Sequence, residues 1–235
     1  YFCFVSISND SMENDLKLMA ELENRNVDGL LLALSHESLV NQDIIKSRLD
    51  QLTTPHVLVD RIFSNKQFNQ VHFDNRLGGY LATKHLLDQD KKKIACITGS
   101  MDSFNARERY YGYRDALEEA GLDLDPNLVI FGDFKFDCGY NSAHELFDQA
   151  IDSVFCSNDL IAYGFISAMM EKKLTKKDIR VVGYDNLEIL KKLYPMLSSV
   201  SQDVDVLSQT SVDMLLENIK SHKDMKEIVL EPKLV

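Results

Sequence analysis

Short runs of Val, Ile, Leu and Phe alternate along the chain with stretches whose apolar residues recur at helical spacing, and this alternation restricts the fold more than any other feature of the sequence. A strand, an amphipathic helix and a second strand make a βαβ unit, and such units build parallel sheets because a parallel pair needs a long crossover. Nine runs read as strands: residues 2–7, 29–34, 56–59, 71–73, 93–98, 128–131, 153–156, 179–182 and 227–230, with a short extended piece from Ser198. Helices between them carry Met12, Leu16, Met19 and Leu22, then Val40, Ile44 and Leu49, then Tyr110, Tyr113, Leu117 and Ala120. Others are expected over 78–87, 139–149 and 159–172, and around Val206, Met214, Leu215 and Ile219. Asp10 and Glu13 have the spacing of a capping box ahead of the first helix. Nine strands exceed what one doubly wound sheet of this length needs, so the expectation is an α/β chain with two similar doubly wound lobes.

Charge narrows the function. With 37 acidic and 26 basic side chains the 235 residues carry −11 at neutral pH, which repels a phosphate backbone, so this stretch is not expected to grip DNA or an anionic membrane by itself. No apolar run is long enough to span a bilayer, and the first residues lack the pattern of a signal peptide, which predicts a soluble, cytoplasmic chain. Cys3, Cys96, Cys138 and Cys156 show no CxxC spacing and read as free thiols. His36, His56, His72, His85, His144 and His222 have no metal-ligand spacing, and neither a metal nor a cofactor is expected. GxGxxG, GxxxxGK[ST], GxSxG and HExxH are all absent, which leaves no enzymatic motif to argue from.

Ligands of doubly wound sheets sit beyond the carboxyl ends of the strands. That rule selects Ser8 and Asn9, Ser35 and His36, Asp60 and Arg61, residues 103–109, Asp133 and Phe134, Ser157 and Asn158, Asp185, and Gln202. The set offers guanidinium, amide and carboxylate groups with an aromatic ring, and no nucleophile beside a base. A sugar, with vicinal hydroxyls that both donate and accept and with an apolar C–H face, suits such an inventory. Each residue also has a plainer reading: Arg61 as a solvated strand end, Phe134 as core, Asn158 or Asp159 as a helix cap, Asp185 as a strand terminator, and Arg109 as a surface partner of Glu108 or Glu118.

Several segments, HFDNRLGGYLATKHLL at 72–87, IACITG at 94–99, ARERYYGYRDALEEAG at 106–121, GDFKFDCGY at 132–140, VFCSNDLIAYG at 154–164, VVGYDN at 181–186 and LSSVSQD at 197–203, resemble in content and order the effector domain of the lac/gal repressor family. The resemblance implies a periplasmic-binding-protein-like fold with an N-terminal lobe at 1–73 plus 202–222, a C-terminal lobe at 74–201 plus 223–235, and a three-stranded hinge near Asp74, Gln202 and His222. It implies a sugar effector, ribose or another pentose, contacted by Arg61, Arg109, Phe134, Asn158, Asp185 and Gln202, with Ser103 and Asn105 tuning the choice. It also implies a homodimeric repressor that is no enzyme, whose operator DNA is bound by a helix-turn-helix domain missing ahead of Tyr1, together with the first strand and helix of the N-terminal lobe. Asp203 stands where that family commonly has Pro. Two other readings were weighed, an exported sugar-binding protein of a transporter and a sugar-modifying enzyme.

Overall fold

A computed structural model describes residues 1–64, 67–194, 197–221 and 225–235. The elements run in the order α1 (Met12–Asn24), β1 (Leu30–Leu32), α2 (His36–Val40), α3 (Gln42–Gln51), β2 (His56–Val59), β3 (Gln70–Phe73), α4 (Asn75–Leu87), β4 (Ile94–Thr98) and α5 (Phe104–Glu119). They continue with β5 (Val129–Phe131), α6 (Phe136–Asp148), β6 (Ser153–Cys156), α7 (Asp159–Glu171), β7 (Arg180–Asp185), α8 (Glu188–Leu193), β8 (Ser198–Ser201), α9 (Val204–Lys220), β9 (Glu227–Leu230) and β10 (Lys233–Leu234).

The chain divides into two compact units. The first comprises Tyr1–Phe73, Asp102–Phe104 and Asp203–Leu230, and the second Asp74–Met101, Asn105–Gln202 and Glu231–Val235. The sheet of the first unit has the order β1-β2-β3-β9 and is parallel throughout. One of its faces packs Met19, Leu34, Ile45, Leu49 and Leu58, and the other Val57, Val71 and Met214. The sheet of the second unit has the order β10-β8-β7-β6-β4-β5, parallel except for β10. Successive residues serve opposite faces: Ile97 and Val154 join Phe165 and Ile161, whereas Cys96 and Phe155 join Tyr113 and Tyr184. A sheet buried on both faces reads as an unbroken apolar run, which is why these strands are conspicuous in the sequence.

Strand order reverses at β4, with β5 on one side and β6, β7 and β8 following on the other. The carboxyl ends of β4 and β6 therefore form the switch point at which doubly wound sheets place ligands.

Side-chain caps set the starts of α4, α7 and α9. Asp74 accepts from the Leu77 N–H, Asn158 from Ile161, and Asp203 from Asp205 and Val206, so Asp203 supplies a helix cap at the position where the resembled family commonly has Pro.

Three expectations are corrected. Residues 2–7 form no strand: no described strand runs beside them, and Phe2 is 97% exposed, because extended apolar chain becomes strand only against a partner. Asp10 and Glu13 make no capping box; the N-cap of α1 is Ser11, and Asp10 turns to Arg61 instead. The strand at 227–230 belongs to the first unit rather than the second, since β9 pairs with β3 from Gln70↔Glu227 to Phe73↔Leu230. The last passage between units accordingly follows Leu230, whereas His222, where it was expected, lies outside the described residues.

Candidate functional site

In the second unit, α5 carries Arg109 to the switch point and buries it to 4% exposure. Its Nε donates to Asn75 Oδ1 at 2.8 Å and its Nη1 to the Ser157 carbonyl at 2.7 Å. The guanidinium lies 3.6 Å from the centroid of the Tyr184 ring. Stacking and two hydrogen bonds leave it one orientation, in which Nη1 faces Asp185 Oδ1 at 3.6 Å. The surface pairing with Glu108 or Glu118 is therefore not the arrangement adopted.

Asp185 ends β7 with a left-handed φ of 95°, followed by Asn186 at 55°. Phe134, between β5 and α6, is likewise left-handed at 66°. Such backbone is unfavourable for residues with a Cβ and is found where surrounding structure enforces it. The Phe134 ring lies against Gly99 at the end of β4, where a Cβ would collide with it, and the Arg109 guanidinium is 5.9 Å from its centroid.

Asn158 takes the plain reading, a helix cap, and adds a contact to the backbone of Phe134. Its Oδ1 accepts from the Ile161 N–H at 2.8 Å as the cap of α7, and its Nδ2 donates to the Phe134 carbonyl at 2.9 Å. Ser103 and Asn105 flank Phe104 at the start of α5 and are buried. Gln202 follows β8, and its buried Nε2 has no hydrogen-bond partner among the described residues.

In the first unit, Arg61 follows β2 and is half-exposed. Nη1 donates to Asp10 Oδ1 at 2.6 Å and to the Leu34 carbonyl at 3.0 Å. Burial alone would raise the Asp10 carboxyl, but the His36 N–H and Arg61 hold it below its ordinary range. Asp10 thereby presents Arg61 as a charged, oriented donor.

Arg109, Asp185, Phe134 and Asn158 are thus brought together within one unit, and Arg61 is held separately in the other. Sequence reasoning passed over Asn75, Tyr184 and Asp10. The first two stand inside the segments HFDN and VVGYDN, beside residues that were chosen. Asp10 was assigned to a cap.

Comparison with known proteins agrees in sequence and in structure. Residues 83–235 match a family described as periplasmic binding protein-like domain. The chain is 30% identical over 239 residues to the HTH-type transcriptional repressor PurR of Aliivibrio salmonicida, covering all of this chain and 70% of that protein. It is 33% identical over 201 residues to the ribose operon repressor of Escherichia coli K12, covering 84% of this chain and 60% of that protein. The chain thus spans 60% to 70% of the length of these curated relatives. Transcription regulator CcpA of Lactococcus lactis superposes with a TM-score of 0.87 at 30% identity, over 98% of this chain and 84% of that one. A LacI family transcriptional regulator from Enterococcus faecium with bound ribose superposes at 0.81 with 29% identity, over 94% and 82%.

Proposed function

The chain belongs to the LacI family of transcription regulators, and we propose that it is the effector-sensing part of a repressor of carbohydrate use, with D-ribose or another pentose as effector. The observation that carries this reading is the fixed Arg109 guanidinium opposite the Asp185 carboxylate, a donor and an acceptor at the switch point of the second sheet. Vicinal sugar hydroxyls accept from Arg109 and donate to Asp185, and Phe134 offers a ring for a C–H face. Within the second unit Asn105, Asn158 and Gln202 add polar groups at the ends of neighbouring elements, and in the first unit Arg61 and Ser103 are the residues proposed to contact the effector. A buried Gln202 Nε2 without a partner among the described residues supports this, because burial of an unpaired donor is costly unless a ligand or water takes it up.

Effector binding regulates by favouring one of two states of the chain, and only a difference in affinity between them can do so. Operator DNA is contacted by a further domain, in keeping with the greater length of the relatives and the −11 charge of this stretch. The protein works in the cytoplasm as a homodimer. Met170, Ile189 and Leu193 on α7 and α8 are 60%, 60% and 53% exposed, an apolar surface that a second copy would cover. The role is binding rather than catalysis, and relatives named as repressors favour it over a transport protein.

Isothermal titration calorimetry against ribose, xylose, arabinose, fructose, glucose and a purine base tests the reading. One pentose is expected to bind, and Asp185→Ala to weaken it about tenfold to a hundredfold with the melting temperature kept. Binding of the purine base alone would replace the pentose assignment.

A further inference from the structure

We infer that Asp159, which does not face the site, is a positioning residue that holds Asp185 in place for the effector, an inference that rests on the function proposed above. Asp159 is the first residue of α7 and is 1% exposed, too buried to touch an incoming ligand. Its Oδ2 accepts from the Leu187 N–H at 2.7 Å, and its Oδ1 accepts from the Ser199 hydroxyl at 2.8 Å. Ser199 Oγ in turn accepts from the Asn186 N–H at 3.0 Å. One carboxylate therefore ties, directly and through Ser199, the two peptide N–H groups that follow Asp185, and these are the groups that define the left-handed Asp185–Asn186 turn.

Space has been left for this contact. A Cβ on Gly183, two residues before Asp185, would collide with Asp159 Oδ1, so the carboxylate lies directly against the end of β7. Burial pushes the Asp159 carboxyl above its ordinary range, against the Leu187 N–H and Ser199 hydroxyl that favour the anion. Both carboxyl oxygens accept from donors that hold the turn, and an amide in their place, with one oxygen only, would hold it less firmly. The residue before it acts in parallel, since Asn158 Nδ2 holds the carbonyl of Phe134, the other left-handed residue of the site. Two neighbouring side chains at the start of α7 thus fix both left-handed residues of the site.

A double-mutant cycle with D-ribose separates positioning from general support. Asp159→Asn should lower affinity roughly tenfold or more in the otherwise unchanged chain, and have almost no further effect in an Asp185→Asn background. Equal losses in both backgrounds would overturn the inference, because Asp159 would then act other than through Asp185. Amide hydrogen exchange gives a readout independent of any ligand: Asn186 and Leu187 should lose protection in Asp159→Asn while the interior of α7 keeps it. Unchanged protection at those two amides overturns the clamp even if no ligand binds. Absence of heat with every ligand in the unsubstituted chain, with the two amides deprotected in the variant, refutes the pentose reading and leaves the clamp itself standing. Should Asp159→Asn fail to fold, Ser199→Ala removes the relay to Asn186 alone and is read by the same two measurements.

Discussion

A guanidinium can be buried only when its donors are used, and Arg109 shows what that requires: Asn75, the Ser157 carbonyl, and the Tyr184 ring with its neighbour Asp185 come from three separate places in the second unit. The sequence names Arg109 through its place after a strand, yet locally Glu108 and Glu118 look like better partners, because spacing along a helix is visible and the far side of a sheet is not. His56 poses the converse case, a titratable residue with a structural role. Its Nδ1–H donates to the Thr54 carbonyl at 3.1 Å, and burial holds its pKa below the ordinary 6.5. As pH falls below 6.5 the unfolded chain takes up a proton that the folded one resists, so this residue's contribution to stability is complete above 6.5 and is lost as pH falls toward the folded value. His56→Gln should therefore reduce, by at most about 1 kcal/mol, the stability lost between pH 7.5 and 5.5, measured from urea midpoints at both values. His85, whose pKa burial also lowers, is retained in both proteins and cancels. Equal losses in the two proteins would show that His56 is not the group being titrated.

Among the elements, the helices of the second unit pack backbone against backbone at paired glycines. A Cβ on Gly79 of α4 would meet the carbonyl of Arg109 on α5, and one on Gly112 of α5 would meet the carbonyl of Arg76 on α4. Gly139 of α6 and Gly164 of α7 repeat the arrangement against Ile161 and Phe136. Gly112→Ala should force α4 and α5 apart and destabilise the chain by about 1–3 kcal/mol, seen as a lowered urea midpoint. It should also weaken pentose binding, because Arg109 lies one turn away on the same helix. A midpoint within experimental error of the parent would mean that the helices separate at no cost. Sequence reasoning took Gly78 and Gly79 as the opening of a helix, whereas the helix begins at Asn75 behind the Asp74 cap. The glycines were visible, but Gly79 is required by a second helix about 30 residues along the chain and Gly78 by the Tyr184 ring, which no local pattern conveys. Strand identity was legible wherever both faces are buried, as at His56–Val59 and Ser153–Cys156. It failed at residues 2–7, where composition suits a strand and no described strand lies alongside.

On the scale of the whole molecule, the βα rhythm was enough to give two parallel sheets, but it could not assign β9. A four-residue apolar strand fits either sheet equally well in sequence, and only its pairing with β3 decides. The exposed apolar surface was similarly hidden: α7 and α8 carry apolar residues on more than one side, and the buried side cannot be told from the exposed one by period. In the fold, Ile161, Phe165 and Leu190 are buried while Met170, Ile189 and Leu193 are exposed, and Met170 and Leu193 line a groove of about 290 Å³ together with Met169, Leu174, Tyr194 and Leu197. So much apolar surface on a chain of −11 net charge is stable in water when another apolar surface covers it, and general repulsion between copies would not prevent a closely packed contact. Sedimentation equilibrium should therefore find the chain dimeric at micromolar concentration, with Leu193→Asp shifting it to monomer. Since Leu193 is exposed in the single chain, the melting temperature of the substituted monomer should match that of the parent diluted below its dimer dissociation constant. A Leu193→Asp chain that remains dimeric would assign the contact to another face.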